Sequence, residues 1–160
     1  MQGLLSATHD ARKDTQMLRL ISALGLLLMA IAGANAAEPA RKATLYKSPQ
    51  CSCCEEYAKY LRGNGFEVKV VATHDLALIR RDNGVPTAVE GCHTMLLGDR
   101  VIEGHVPVSA INLLLEKHPQ VRGISLPGMP QGSPGMTGRK TAPFTIYSFG
   151  DGSHKVFATD

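Results

Sequence analysis

Three of the chain's four cysteines lie within four residues, Cys51-Ser52-Cys53-Cys54, where a strand pattern gives way to a helical one. Ala43 to Tyr46 reads as a strand and Ser48-Pro49 as a turn, while Tyr57, Ala58 and Leu61 form an apolar stripe at helical spacing. The thiols therefore start a helix, whose partial positive charge favours the thiolate that binds metal or attacks disulfides. A dithiol switch needs only a Cys-x-x-Cys pair, which Cys51 and Cys54 provide, and Cys53 is left over. Adjacent side chains at a helix start point in different directions, so three such thiols do not close easily on one tetrahedral ion. They can bridge several soft ions, and copper(I) is the leading candidate. Buried structural cysteines are the alternative, disfavoured because a helix start after a proline turn is usually exposed.

Arg12, Lys13 and Arg19 precede an apolar run from Leu20 to Ala32, and Ala34-Asn35-Ala36 has the small-x-small form of a cleavage site. The pattern predicts a secretory signal peptide over residues 1–36, with Met17 a more natural start than Met1 and an uncleaved anchor as the alternative. Residues 37–160 then form one domain of 124 residues, with 14 Lys+Arg against 12 Asp+Glu. That balance, with the basic residues dispersed and no Trp, argues against a nucleic-acid partner. After cleavage no membrane association is expected, and the oligomeric state is open. Export implies oxidising conditions, but three cysteines in one turn close no useful loop and do not make a disulfide framework.

Phe66 to Ala72 alternates as a strand, Asp75 is placed to cap a second helix ended by Asn83-Gly84, and Thr94 to Leu97 with Arg100 to Glu103 form a hairpin turning at Gly98-Asp99. Pro107 opens a third helix and Pro119 ends it. The order β-α-β-α-β-β-α, with cysteines at the first strand–helix junction, predicts an α/β domain of thioredoxin-like type, a mixed sheet flanked by helices. Gly84-Val85-Pro86-Thr87 resembles the thioredoxin Gly-Ile-Pro-Thr, whose proline faces the thiols; either Pro86 or Cys92-His93 takes that place here. Gly123 to Pro143 is rich in Gly and Pro and reads as irregular, and a C-terminal hairpin around Gly150-Asp151-Gly152 closes the chain.

If Gly98 and Asp99 form a type II′ turn, Leu97 faces Arg100, Met95 faces Ile102 and Cys92 faces His105, an S/N pair with Cβ atoms about 5 Å apart. His93 then points the other way, and a bulge at Gly91 or Gly104 would undo the register. His105 is a ligand or an ordinary surface histidine. Met129 and Met136, set between Pro and Gly, are either soft thioether ligands or loop packing.

Lys47-Ser48-Pro49-x-Cys51-x-Cys53-Cys54, Gly84-Val85-Pro86, Cys92-His93-Thr94, Glu103-Gly104-His105-Val106-Pro107 and Pro127-Gly128-Met129-Pro130-x-Gly132-Ser133-Pro134-Gly135-Met136 together resemble the CopG-type periplasmic copper proteins, a family long catalogued as a domain of unknown function. The likeness runs over the whole mature chain, with Ser52 where the family often has glycine and Tyr57 where it often has tryptophan. It implies a thioredoxin-like fold, a periplasmic location and a role in copper resistance. It also implies copper ions as the bound species, other periplasmic copper-resistance proteins as candidate partners, and a copper–thiolate cluster on Cys51, Cys53, Cys54 and Cys92 with His105 and a loop methionine. A multinuclear Cu(I) cluster is the leading expectation, since four thiolates on one Cu(I) leave a net charge of −3 that several bridged ions reduce. A thiol–disulfide oxidoreductase using Cys51 and Cys54 is the second reading, and a zinc site the third. Copper binding and redox activity are compatible.

Overall fold

The computed structural model describes residues 40–118 and 120–160; the expected signal peptide and Pro119 lie outside them. The strands are β1 (Arg41–Lys47), β2 (Phe66–Ala72), β3 (His93–Leu97), β4 (Arg100–Gly104), β5 (Gly123–Leu126), β6 (Thr145–Phe149) and β7 (His154–Thr159). The helices are α1 (Ser52–Gly63), α2 (Leu76–Asp82) and α3 (Val108–Lys117), with a single 3-10 turn at Thr87–Val89. All seven strands join one mixed sheet in the order β2-β1-β3-β4-β5-β6-β7. β1 runs parallel to β2 and β4 to β5, and the remaining neighbours are antiparallel. No helix among the described residues is long and apolar enough to cross a membrane.

Alternation along the strands divides the apolar residues between the two faces. Leu45, Met95 and Ile102 pack with Tyr57, Ala58 and Leu61 of α1 and with Ile111 and Leu114 of α3, forming the main core. On the other face Val101 and Phe149 pack with Val85 and Val89 in a smaller cluster. The β3–β4 hairpin has the expected register, Met95 opposite Ile102 and Leu97 opposite Arg100. Gly98 takes φ 59° at its turn, the value that type II′ needs in its first position.

Two expectations need correcting. Gly123–Leu126 is a strand, not irregular chain: all four residues are buried, so the segment shows no alternation to mark it. Asp75 occupies the position before α2 but makes no side-chain cap bond. Between Pro86 and the hairpin the chain makes the 3-10 turn at Thr87–Val89.

Candidate metal centre

Cys51 ends the Ser48-Pro49-Gln50 turn as the residue before α1, with its own N–H donating to the Ser48 carbonyl at 3.0 Å. The turn is fixed from within by Lys47, which is 4% exposed. Its Nζ donates to the carbonyls of Ser48 (3.3 Å) and Cys51 (3.1 Å) and pairs with Glu55 at 3.1 Å. Cys53 and Cys54 follow in the first turn of the helix, where backbone N–H groups lack intrahelical partners.

The four sulfurs come together. Cys51 and Cys54 form a disulfide, with Cα atoms 5.5 Å apart, and Cys53 and Cys92 are free. Cys53 Sγ lies 3.4 Å from Cys51 Sγ, and Cys92 Sγ lies 3.6 Å from Cys54 Sγ. All four sulfurs sit within 4.8 Å of one another. Burial, with the neighbouring Cys53, pushes the Cys92 thiol up to about 12, so a cation is what would make it a thiolate.

Cys92 also meets two imidazoles. His105 Nε2 lies 2.9 Å and His93 Nδ1 3.3 Å from its sulfur. His105 is oriented from behind: Nδ1 donates to the Pro134 carbonyl at 2.6 Å, which leaves Nε2 with its lone pair toward Cys92. Burial lowers the affinity of both rings for a proton, His93 more strongly and with help from His105, and so keeps them in the neutral form that binds metal. Nε2 of His93 is buried with no well-formed hydrogen bond, the one such side-chain atom among the described residues.

The expected Cys92–His105 pair is therefore present, but not through the ladder. The last paired residues are Thr94 and Glu103. Strict alternation beyond them would put His105 on the Glu103 face. Gly104 instead adopts φ 74°, which turns the chain and throws His105 back toward the thiols. His93, expected to point away, shares the face of Met95 and packs 4.6 Å from the Tyr57 ring and 4.9 Å from that of His105. It belongs to the cluster for the same reason that Met95 belongs to the core.

The Gly/Pro/Met segment docks over the start of α1. A Cβ on Gly135 would come 2.5 Å from the Tyr57 nitrogen and 3.0 Å from the Cys53 carbonyl oxygen, so the loop lies directly on the helix backbone. Met136, half-buried, follows that contact, while Met129 is 43% exposed with φ 47°. The sequence motifs include Lys47 and Glu103 without giving them a role, and nothing in them points to Arg80. The available signal was Glu103 itself, a carboxylate next to Val101-Ile102 in a strand of the expected hairpin.

An α/β domain with a Cys/His cluster able to hold metal is the class these features define. Residues 89–136 match the family described as "Protein of unknown function, DUF411". The solved structures of the copper resistance protein copG are similar over most of the chain. Form 1 is 32% identical, with TM-score 0.70 and coverage of 77% of this chain and 98% of that one. Form 2 is 31% identical, with TM-score 0.69 and coverage of 74% and 97%. The chain belongs to this DUF411, CopG-like family. No curated protein matches it.

Proposed function

We propose that this chain is an exported, periplasmic copper-resistance protein that holds Cu(I) in a multinuclear cluster on Cys51, Cys53, Cys54 and Cys92. His105 and a loop methionine complete the ligand set, and His93 Nδ1 is a further donor. The observation that carries this reading is the meeting of four sulfurs within 4.8 Å, soft donors at bridging separations. The identity with the copper resistance protein copG supports copper as the ion. A parallel β1-α1-β2 unit with thiols at its first junction, followed by an antiparallel hairpin and α3, supports a thioredoxin-like fold. The Cys51–Cys54 disulfide suits an oxidising compartment.

The test is anaerobic titration of the fully reduced domain with Cu(I) against a competing chelator, followed by bound-metal analysis. More than one ion per chain is expected, and saturation at one or fewer would remove the cluster. Cys53→Ser should lower that capacity and leave the Cys51–Cys54 couple intact.

The methionines are tested separately. Met129→Leu with Met136→Leu conserves most of the volume and apolar character, so the apo melting temperature should move little. Cu(I) loss to a chelator should be faster. Unchanged loss with a clearly lower melting temperature would make them packing residues.

The disulfide favours a second reading, thiol–disulfide exchange through Cys51 and Cys54. Retained exchange activity in a domain that takes up no Cu(I) would support it over the first.

A further inference from the structure

Behind Cys92 and His105, on the sheet face away from α1, is a buried ion pair whose polar contacts all avoid the sulfurs. Glu103 is fully buried and Arg80 of α2 is 11% exposed. Arg80 Nε donates to Glu103 Oε1 at 2.9 Å and its Nη2 to the Gly91 carbonyl at 2.6 Å. The Gly91 N–H donates to the same Oε1 at 2.8 Å, closing a ring through both polar groups of Gly91. Thr94 Oγ1 donates to Oε2 at 2.6 Å, and Arg80 Nη1 reaches the half-buried Glu90 at 3.4 Å.

The position of this ring decides its meaning. Gly91 directly precedes Cys92, and Glu103-Gly104 directly precedes His105. The regular ladder stops at Thr94 and Glu103, so sheet pairing does not hold Cys92 against His105. The two backbones nevertheless touch there: a Cβ on Gly91 would lie 2.6 Å from the Gly104 Cα. An apolar pair could fill this space at similar or lower cost in stability. It could not grip the donor and the acceptor of one glycine at once, a task that fits the planar fork of arginine. α2 buries no residue fully, and among the ion pairs of the described residues Arg80 is its deepest link to this part of the sheet.

We infer that Arg80 and Glu103 are positioning residues that fix Cys92 against His105 and Cys54, and so set the geometry of the metal cluster. The copper consequence rests on the function proposed above; the placing of the Cys92 thiol does not. Orienting groups of this kind typically carry 10–100-fold of metal affinity.

The test uses the whole domain with the Cys51–Cys54 disulfide closed, leaving Cys53 and Cys92 as the free thiols. Arg80→Met, Arg80→Lys and Glu103→Gln are compared with Val101→Ala, which loosens the smaller core cluster without touching Gly91. Native-state alkylation is read for each cysteine by peptide mass mapping, and Cu(I) affinity is read after reduction. Arg80→Met and Glu103→Gln should speed Cys92 alkylation about tenfold or more with the Cys53 rate unchanged, and Arg80→Lys should fall between them and the parent. Cu(I) affinity should drop about tenfold or more, while Val101→Ala leaves both readouts unchanged. Parent-like Cys92 rates, or equal acceleration of both cysteines as in a merely loosened fold, would overturn the inference. If the parent itself bound no Cu(I), the copper function would fail and the alkylation result would still decide this one. Copper binding in the parent with unchanged affinity in all three variants would overturn the inference alone.

Discussion

Closing the Cys51–Cys54 disulfide should reduce the chain from several Cu(I) ions to at most one, with the affinity of what remains at least about tenfold weaker. The disulfide removes two of four thiolates and leaves Cys53, Cys92 and the imidazoles, a set with too few sulfurs to bridge several ions. Metal and disulfide formation compete for the same electron pairs, so copper-loaded protein should also resist oxidation. Separate reduced and oxidised preparations, with free thiols counted by alkylation, would be titrated against one Cu(I) chelator. Equal stoichiometry in the two states would mean that Cys51 and Cys54 are not ligands.

Tyr57→Ala should be the most destabilising single change near the site, by about 3–5 kcal/mol. The side chain is fully buried, its ring packs on both His93 and His105, and its hydroxyl donates to the Val106 carbonyl at 2.8 Å. For a domain whose total stability is on the order of 5–15 kcal/mol, that is a large share. Tyr57→Phe keeps the ring and strands only the Val106 carbonyl, a loss of about 1–3 kcal/mol. Its Cu(I) affinity should stay within a few-fold of the parent. Denaturant unfolding of the apo proteins separates the two variants. A Tyr57→Ala loss below about 1 kcal/mol would show that the imidazoles do not depend on this ring.

Much of this arrangement is legible in the sequence. The strand–turn–helix carrying Cys51, Cys53 and Cys54 and the hairpin register are local patterns, each set by a turn or an alternation, whereas the Cys92–His105 pair, expected from that register, is made by the turn at Gly104. What escaped detection was set elsewhere in the chain. β5 has no alternating pattern because all four of its residues are buried, on both faces, while its edges are paired with β4 and β6. His93 keeps the Met95 face; the misplaced residue was His105, because the alternation was carried past the end of the ladder, where Gly104 turns the chain toward that face. Arg80 and Glu103 stand 23 residues apart, and no periodicity connects a helix arginine with a strand carboxylate across the sheet.

The sulfurs come from two places in the chain, three within a single turn and the fourth from a segment 38 residues beyond Cys54. A newly made, unfolded chain therefore already offers a three-thiol group, whereas Cys92 and both imidazoles arrive only when β3 and β4 have docked. Ions met early would be gripped by the local trio at no cost in chain closure; the complete set must wait for contacts that are long in sequence and slow to form. On the proposed copper function, the order of events during maturation would then matter to the product, since folding ahead of loading would allow every donor to compete for the first ion that enters.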